Sequence, residues 1–268
     1  MVENYPVITL CGSTRFKEAF MRAQKELTLN GNIVISVGLF GHSGDNEVWT
    51  EGTKTMLDDM HKRKIDMADE IFVINVGGYI GSSTRSEIAY AAAHGKRIRY
   101  LEGQTVFFWH EYEENGCFSN WYDSPFELGG EKFRHAEQFI MARKAKLFGD
   151  EVHYRKIMAA EKPDECKHLG RQVSGYDDNI WKTHREEILK AALRAKFTQN
   201  EALSEKLLST GGAQMAEASP GDQIFGIGLT AEKAVYVRPE QWPGQNLLGK
   251  ALMELRTELS QARIPREP

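Results

Sequence analysis

The run Phe133-Arg-His-Ala-Glu-Gln-Phe-Ile-Met-Ala-Arg-Lys-Ala sets Glu137 and Lys144 at helical spacing on one face with Ile140, Met141 and Phe148. Charge on an apolar stripe is costly to bury. This acid and base therefore either form a structural ion pair or line a pocket where shifted ionisation serves chemistry. Further on, Trp181 and Arg185 stand one turn apart, with Ile188 and Ala192 continuing the stripe. A guanidinium beside an indole suits base stacking and phosphate capture; the alternative is a core tryptophan with Arg185 at its rim. Glu87 falls one turn into a helix that begins near Ser82, so its carboxylate can look back toward the helix mouth. There it could act as nucleophile, or stabilise an oxocarbenium-like transition state, at a ribosyl anomeric carbon. It could equally complement the helix dipole.

The elements that must place these groups are written in the hydrophobic periodicity. Val7 to Leu10 reads as strand, Thr14 to Asn30 as helix stopped by Gly31, and Ile33 to Val37 as strand. Gly52 to Ala68, Ile71 to Val76, Ser82 to His94 and Arg97 to Leu101 then read as helix, strand, helix, strand. This alternation predicts an α/β fold: a small parallel sheet of Rossmann-like, flavodoxin-like class flanked by helices. Two turns, Cys11-Gly12-Ser13-Thr14 and Gly77-Gly-Tyr-Ile-Gly-Ser-Ser83-Thr84, each follow a strand and open a helix. Both fall at one sheet edge, where helix N-termini favour an anion, which makes Gly12, Ser13 and Ser83 candidate ligand contacts. Plain tight turns are the competing reading. Neither turn has GxGxxG or Walker spacing, so a Rossmann NAD site is not indicated. Past a boundary near Gly103, an aromatic cluster at Phe107, Phe108 and Trp109 and a turn-rich stretch to Gly130 precede mainly helical periodicity to about Thr210. Gly211 to Gly228 reads as loop or short strand, and Asn246 to Ala262 as amphipathic helix. The expected domains are residues 1–103 and, mainly helical, 104–264.

The 268 residues are 41% hydrophobic and 27% charged, which excludes disorder for most of the length and allows one large or two modest domains. A net charge of −4 excludes broad nonspecific attraction to a phosphate backbone and leaves a local groove as the route to nucleic acid. Cys11, Cys117 and Cys166 are odd in number and far apart, which points to a reducing compartment. Paired-cysteine spacing, HExxH and close histidine clusters are all lacking, so neither a metal nor a cofactor is expected. No signal-peptide pattern opens the chain and no run approaches roughly 18 apolar residues, so the expectation is a cytoplasmic protein without membrane contact.

Residues 7 to 102 resemble the nucleoside 2-deoxyribosyltransferase-like superfamily. The likeness lies in Cys11-Gly-Ser-Thr, in Lys64-Ile-Asp-Met-Ala-Asp-Glu-Ile-Phe-Val-Ile, and in Ser86-Glu87-Ile-Ala-Tyr-Ala. The resemblance implies a catalytic glutamate at Glu87 and an upstream aspartate, Asp66 or Asp69. Where that family often has Asp-x-Gly-Thr, this chain has Gly81-Ser-Ser-Thr, and nucleotide binding without cleavage is the other implication. Homo-oligomer formation is expected, where it occurs, through this part.

Five separated motifs in the second half resemble the NADAR family (NAD- and ADP-ribose-associated). They are Phe118-Ser-Asn120-Trp121, Ala136-Glu137-Gln-Phe, Lys196-Phe-x-Gln199-Asn200, Glu217-Ala-Ser-Pro-Gly-Asp222-Gln-Ile-Phe225-Gly-Ile-Gly-Leu, and Gly244-Gln-Asn246-Leu-Leu-Gly249-Lys-Ala-Leu-Met-Glu-Leu-Arg256. The resemblance implies cleavage of N-glycosidic bonds, either in a ribosylamino intermediate of riboflavin synthesis or between ADP-ribose and guanine bases of DNA, the latter counteracting a DNA-modifying toxin. It maps the acidic residues onto Glu137 and Asp222. Lys144 would hold a phosphate, stabilise the leaving base or attack the opened sugar as an amine. Asn120, Trp121, Trp181, Arg185, Phe225 and Asn246 would position base and diphosphate. Many members have Trp where this chain has Phe225, which keeps a stacking face without an indole donor. The expected substrate is ADP-ribosylated guanine in DNA; the alternatives are the riboflavin intermediate and a non-catalytic NAD or ADP-ribose sensor.

Overall fold

The computed structural model describes residues 4–41, 51–103 and 105–263. They form two compact units, Met1–Thr105 with Glu232–Gln241, and Val106–Ala231 with Trp242–Pro268. In the N-terminal unit, β1 (Val7–Gly12), α1 (Lys17–Leu29), β2 (Ile33–Ile35), α2 (Glu51–Asp66), β3 (Glu70–Ile74), α3 (Ser82–Ala93) and β4 (Arg97–Tyr100) follow the predicted alternation. The four strands are parallel, in the order β2-β1-β3-β4. Strand period two divides the core between the sheet's faces. Ile8, Leu10, Phe72 and Ile74 pack with Phe20 and Leu27 of α1, while Cys11, Ile71 and Val73 pack with Ile65 of α2 and Ala91 of α3.

The segment Glu232–Gln241, expected in the second domain, belongs to the N-terminal unit. Tyr236 packs 6.0 Å from the Phe72 ring, Arg238 donates to the Asn32 side chain at 3.1 Å, and Glu240 accepts from Arg97 at 2.7 Å. A contiguous boundary cannot express this return.

The C-terminal unit contains β5 (Thr105–Phe108), β6 (Phe126–Leu128), β7 (Glu131–Phe133), α4 (Ala136–Leu147), α5 (Glu151–Ala159), α6 (Pro163–Arg171), α7 (Asp178–Gln199), α8 (Glu201–Ser209), β8 (Gln214–Glu217) and α10 (Leu247–Arg263), while α9 (Ala231–Ala234), apart from Ala231, falls in the segment that belongs to the N-terminal unit. β6 and β7 form a hairpin closed by Gly129 and Gly130, both at positive φ, the two-residue turn whose twist matches antiparallel strands. Because this hairpin claims Phe133, the helix expected from there begins at Ala136, capped by His135, whose side chain accepts from the Gln138 N–H. α4 packs against α5, α6 and α7. Its residues Ala136 to Ala142 are buried on every side, so a charge near its start has little water to solvate it. α6 comes so close that a Cβ on Gly170 would lie 2.0 Å from Met141 Sδ. Among the described residues, no helix is long and apolar enough to cross a membrane.

Candidate active site

Three carboxyl groups gather in the C-terminal unit. Glu137 enters from the first turn of α4, Glu217 from the end of β8, and Asp222 from the turn that follows. Glu137 is 4% exposed. Burial pushes its pKa up to about 7, Lys167 and an indole hydrogen bond from Trp121 hold it down, and Asp222 pushes it further up. Glu217 is raised to about 8, by burial first and then by Asp222, and its Oε2 is buried without a hydrogen-bond partner. Asp222 is locked by its own turn: Oδ1 accepts the N–H groups of Ile224 and Phe225 at 2.8 and 2.9 Å, while Oδ2 faces Lys167 Nζ at 3.9 Å. Two acids that bind protons near neutrality, beside a third carboxylate, can hold, deliver and accept protons.

Cations and aromatic faces border these acids. Lys167 on α6 lies 5.7 Å from the Trp121 ring centroid. Lys144 on α4 donates to the Gly170 carbonyl at 2.8 Å and lies 4.3 Å from the Tyr176 ring and 5.6 Å from that of Trp181. Burial lowers its pKa, against the pull of Glu137. Arg185 on α7 is buried and donates to the Gln245 side chain at 3.1 Å. Asn120 is buried, with Oδ1 lacking a partner, and its carbonyl accepts the Glu137 N–H at 2.9 Å. Phe225 is half-buried against the core.

Other motif residues build the frame. Asn246 sits at φ 53, donates to the Met215 carbonyl at 2.9 Å and accepts the Glu217 N–H at 3.3 Å, so it positions Glu217. Gln138 clamps the end of α5 through the carbonyls of Ile157 and Ala160. Lys196, wholly buried, donates to the Ser119 carbonyl at 2.8 Å and so steadies the loop that carries Asn120 and Trp121. The sequence reading assigned no role to Glu217, Lys167, Arg171 or Tyr176. Glu217 stood at the head of the quoted loop motif, and Lys167 and Arg171 lie one helical turn apart.

The N-terminal unit holds a separate cavity of about 540 Å³ beyond the ends of β1 and β3, lined by Gly12, Ser13, Arg15, Lys54, Ser83 and Glu87 among others. These strands flank the point where the chain reverses its direction across the sheet, where open α/β sheets bind ligands. At Gly12 a Cβ would lie 2.8 Å from the Ile74 carbonyl oxygen, so glycine there is a packing requirement. Arg15 stacks on Tyr79, 4.2 Å from the ring centroid. Burial raises Glu87 to about 7, with Asp58 pushing the same way. Asp66 instead accepts from the Tyr90 hydroxyl at 2.8 Å, and Asp69 accepts the Val7 N–H at 2.8 Å. Of these aspartates, Asp58 is the one that lines the cavity with Glu87.

Residues 107–260 match the NADAR domain. The chain is 44% identical over 170 residues to N-glycosidase R617 of Acanthamoeba polyphaga mimivirus, covering 60% of this chain and all of that protein. It is 27% identical over 174 residues to riboflavin biosynthesis protein VVA0006 of Vibrio vulnificus, covering 65% of this chain and 43% of the other. N-glycosidase YbiA of Escherichia coli is 30% identical over 166 residues, covering 62% of this chain and 95% of YbiA. The NMR structure of YbiA superposes with a TM-score of 0.52 at 27% identity, covering 63% of this chain and 93% of that structure. With more than half its length matched, and the acids described above inside the matched region, the chain belongs to the NADAR family.

Proposed function

We propose that the C-terminal unit is a cytoplasmic N-glycosidase that removes ADP-ribose from guanine bases of DNA. The observation that carries this reading is the burial of Glu137 beside Glu217, Asp222 and Lys167, with the Trp121 indole on its carboxyl group. In the reaction the C1′–N bond breaks and its electron pair passes to the base nitrogen, which takes up a proton. A water oxygen bonds to C1′ and its proton is accepted by a carboxylate. Ionised Glu137 receives the water proton and stabilises positive charge at C1′. Protonated Glu217 supplies the proton for the leaving base. Lys144, Lys167, Arg171 and Arg185 offer the charge that a diphosphate needs, and the Trp121 and Trp181 faces offer stacking for a base.

The 27% identity to a protein named for riboflavin biosynthesis favours a second reading, hydrolysis of a ribosylamino intermediate of that pathway, which requires no DNA groove. In the N-terminal unit, the resemblance to nucleoside deoxyribosyltransferases supports a nucleotide in the cavity against Gly12, Ser13 and Ser83.

The test presents guanine-ADP-ribosylated DNA and the ribosylamino intermediate to wild type, Glu137→Gln and Glu87→Gln, with released sugar followed by mass spectrometry. ADP-ribose release lost in Glu137→Gln and kept in Glu87→Gln is the expected result. Turnover of the intermediate alone would establish the second reading. Tight binding of ADP-ribose without base release from either substrate would make the protein a sensor and overturn both.

A further inference from the structure

Cys11 of β1, His61 of α2 and Glu87 of α3 meet on one face of the N-terminal sheet, outside the acid cluster of the other unit. Cys11 Sγ lies 3.5 Å from His61 Nε2, and Glu87 Oε1 lies 3.8 Å from the same nitrogen. One donor atom from each of the three residues lies within 4.8 Å of the other two. Zinc bonds of about 2.3 Å to sulfur and about 2.0–2.2 Å to nitrogen or oxygen place neighbouring ligand atoms of a tetrahedron roughly 3.3–3.6 Å apart. The sulfur–nitrogen edge is therefore already at that spacing, and the nitrogen–oxygen edge is only slightly long.

Hydrogen bonding explains the arrangement only in part. The Cys11 thiol donates to the Glu87 carboxyl group, but Nε2, close to both, can offer only one hydrogen or one lone pair, and Glu87 Oε2 remains buried without a partner. The ring also donates to the Leu10 carbonyl, the kind of contact that orients a ligating histidine. Thiolate, imidazole and carboxylate together suit zinc, whereas magnesium and calcium take oxygen alone. Cys11 is wholly buried, while His61 and Glu87 line the cavity.

We propose that Cys11, His61 and Glu87 form a zinc site whose fourth position opens into the N-terminal cavity and is taken by water or by an oxygen donor of the molecule bound there. Loading replaces the thiol S–H bond with a Zn–S bond and releases that proton to solvent. Glu87 is then a metal ligand, not a free nucleophile.

The experiment uses the full-length, tag-free chain stripped with a chelator and titrated with Co²⁺. One Co²⁺ per chain is expected, with thiolate-to-cobalt charge transfer in the near ultraviolet and the visible bands of a four-coordinate ion. Zn²⁺ should bleach both and raise the thermal midpoint of the wild type. Cys11→Ser should abolish the charge-transfer band, and Glu87→Gln should weaken Co²⁺ binding by at least about 100-fold. Cys166→Ser should leave the spectrum unchanged. Wild-type protein that takes up no Co²⁺ at an excess of metal overturns the proposal without recourse to any variant. So does a charge-transfer band that persists in Cys11→Ser.

Discussion

Replacing Glu137 with glutamine should make the C-terminal unit more stable near pH 8 while removing its activity. In the folded protein Glu137 ionises at about 7, against an ordinary value of 4.5, chiefly because α4 buries it. Between these values the folded chain binds more protons than the unfolded chain, so stability falls as pH rises through the window and levels off above it. At 1.36 kcal/mol per pKa unit, this one group costs roughly 2 to 3 kcal/mol between pH 5 and pH 8. Glutamine keeps the shape and does not titrate. The difference in unfolding free energy, variant minus wild type, should therefore grow by that amount over the same interval. Losing the charge also relieves Glu217, which adds to the effect in the same direction. Urea unfolding followed by tryptophan emission is a suitable assay, because Trp109, Trp121, Trp181 and Trp242 are four of the five tryptophans and all lie in the C-terminal unit. A difference that stays constant from pH 5 to pH 8 would refute the desolvation argument. A stabilised variant that still released base would refute the catalytic assignment alone.

Lys196 should show the opposite pH dependence. Its pKa is lowered to about 7 by burial, so the unfolded chain binds more protons above that value and stability rises with pH. Lys196→Met should lack roughly 2 kcal/mol of the rise seen in wild type between pH 7 and pH 9, measured by the same urea titration. Asn246→Ala removes both the donor to Met215 and the acceptor for Glu217, at a residue already at positive φ. It should cost about 1–3 kcal/mol and lower kcat more than it raises KM; unchanged kcat would show that Glu217 needs no such support. Gly170→Ala drives a methyl into Met141 and should destabilise by about 1–3 kcal/mol, with Met141→Ala in the same chain recovering part of the loss in thermal unfolding.

The strand and helix alternation of the N-terminal unit was legible because each element keeps a single period long enough to count. The errors, one in each unit, are local. The second strand ends at Ile35, short of Val37, and the helix expected at Phe133 starts at Ala136 because the β6–β7 hairpin takes the intervening residues. What periodicity cannot register is a segment that returns to an earlier unit, as Glu232–Gln241 does through Tyr236 and Arg238, since each of those contacts joins residues far apart in the chain.

The same limit governs the sites. Glu137 and Asp222 could be picked out because they sit inside recognisable motifs, yet nothing in a helical repeat says that Glu137 is enclosed by three further helices. Its displaced ionisation belongs to that enclosure rather than to the residue. Lys167 looks like an ordinary lysine on a polar helix, and only the close approach of α6 at Gly170 brings it within reach of Asp222. For Cys11, His61 and Glu87 the spacings are too wide for any local pattern to register. They converge because β1 turns Cys11 to the face that α2 and α3 cover. In both units the candidate groups are charged or ligating side chains forced out of water by packing. Glu87 and Glu217 both stand in motifs, but only their surroundings, which leave Glu87 Oε2 and Glu217 Oε2 buried without a partner, show what each could do there.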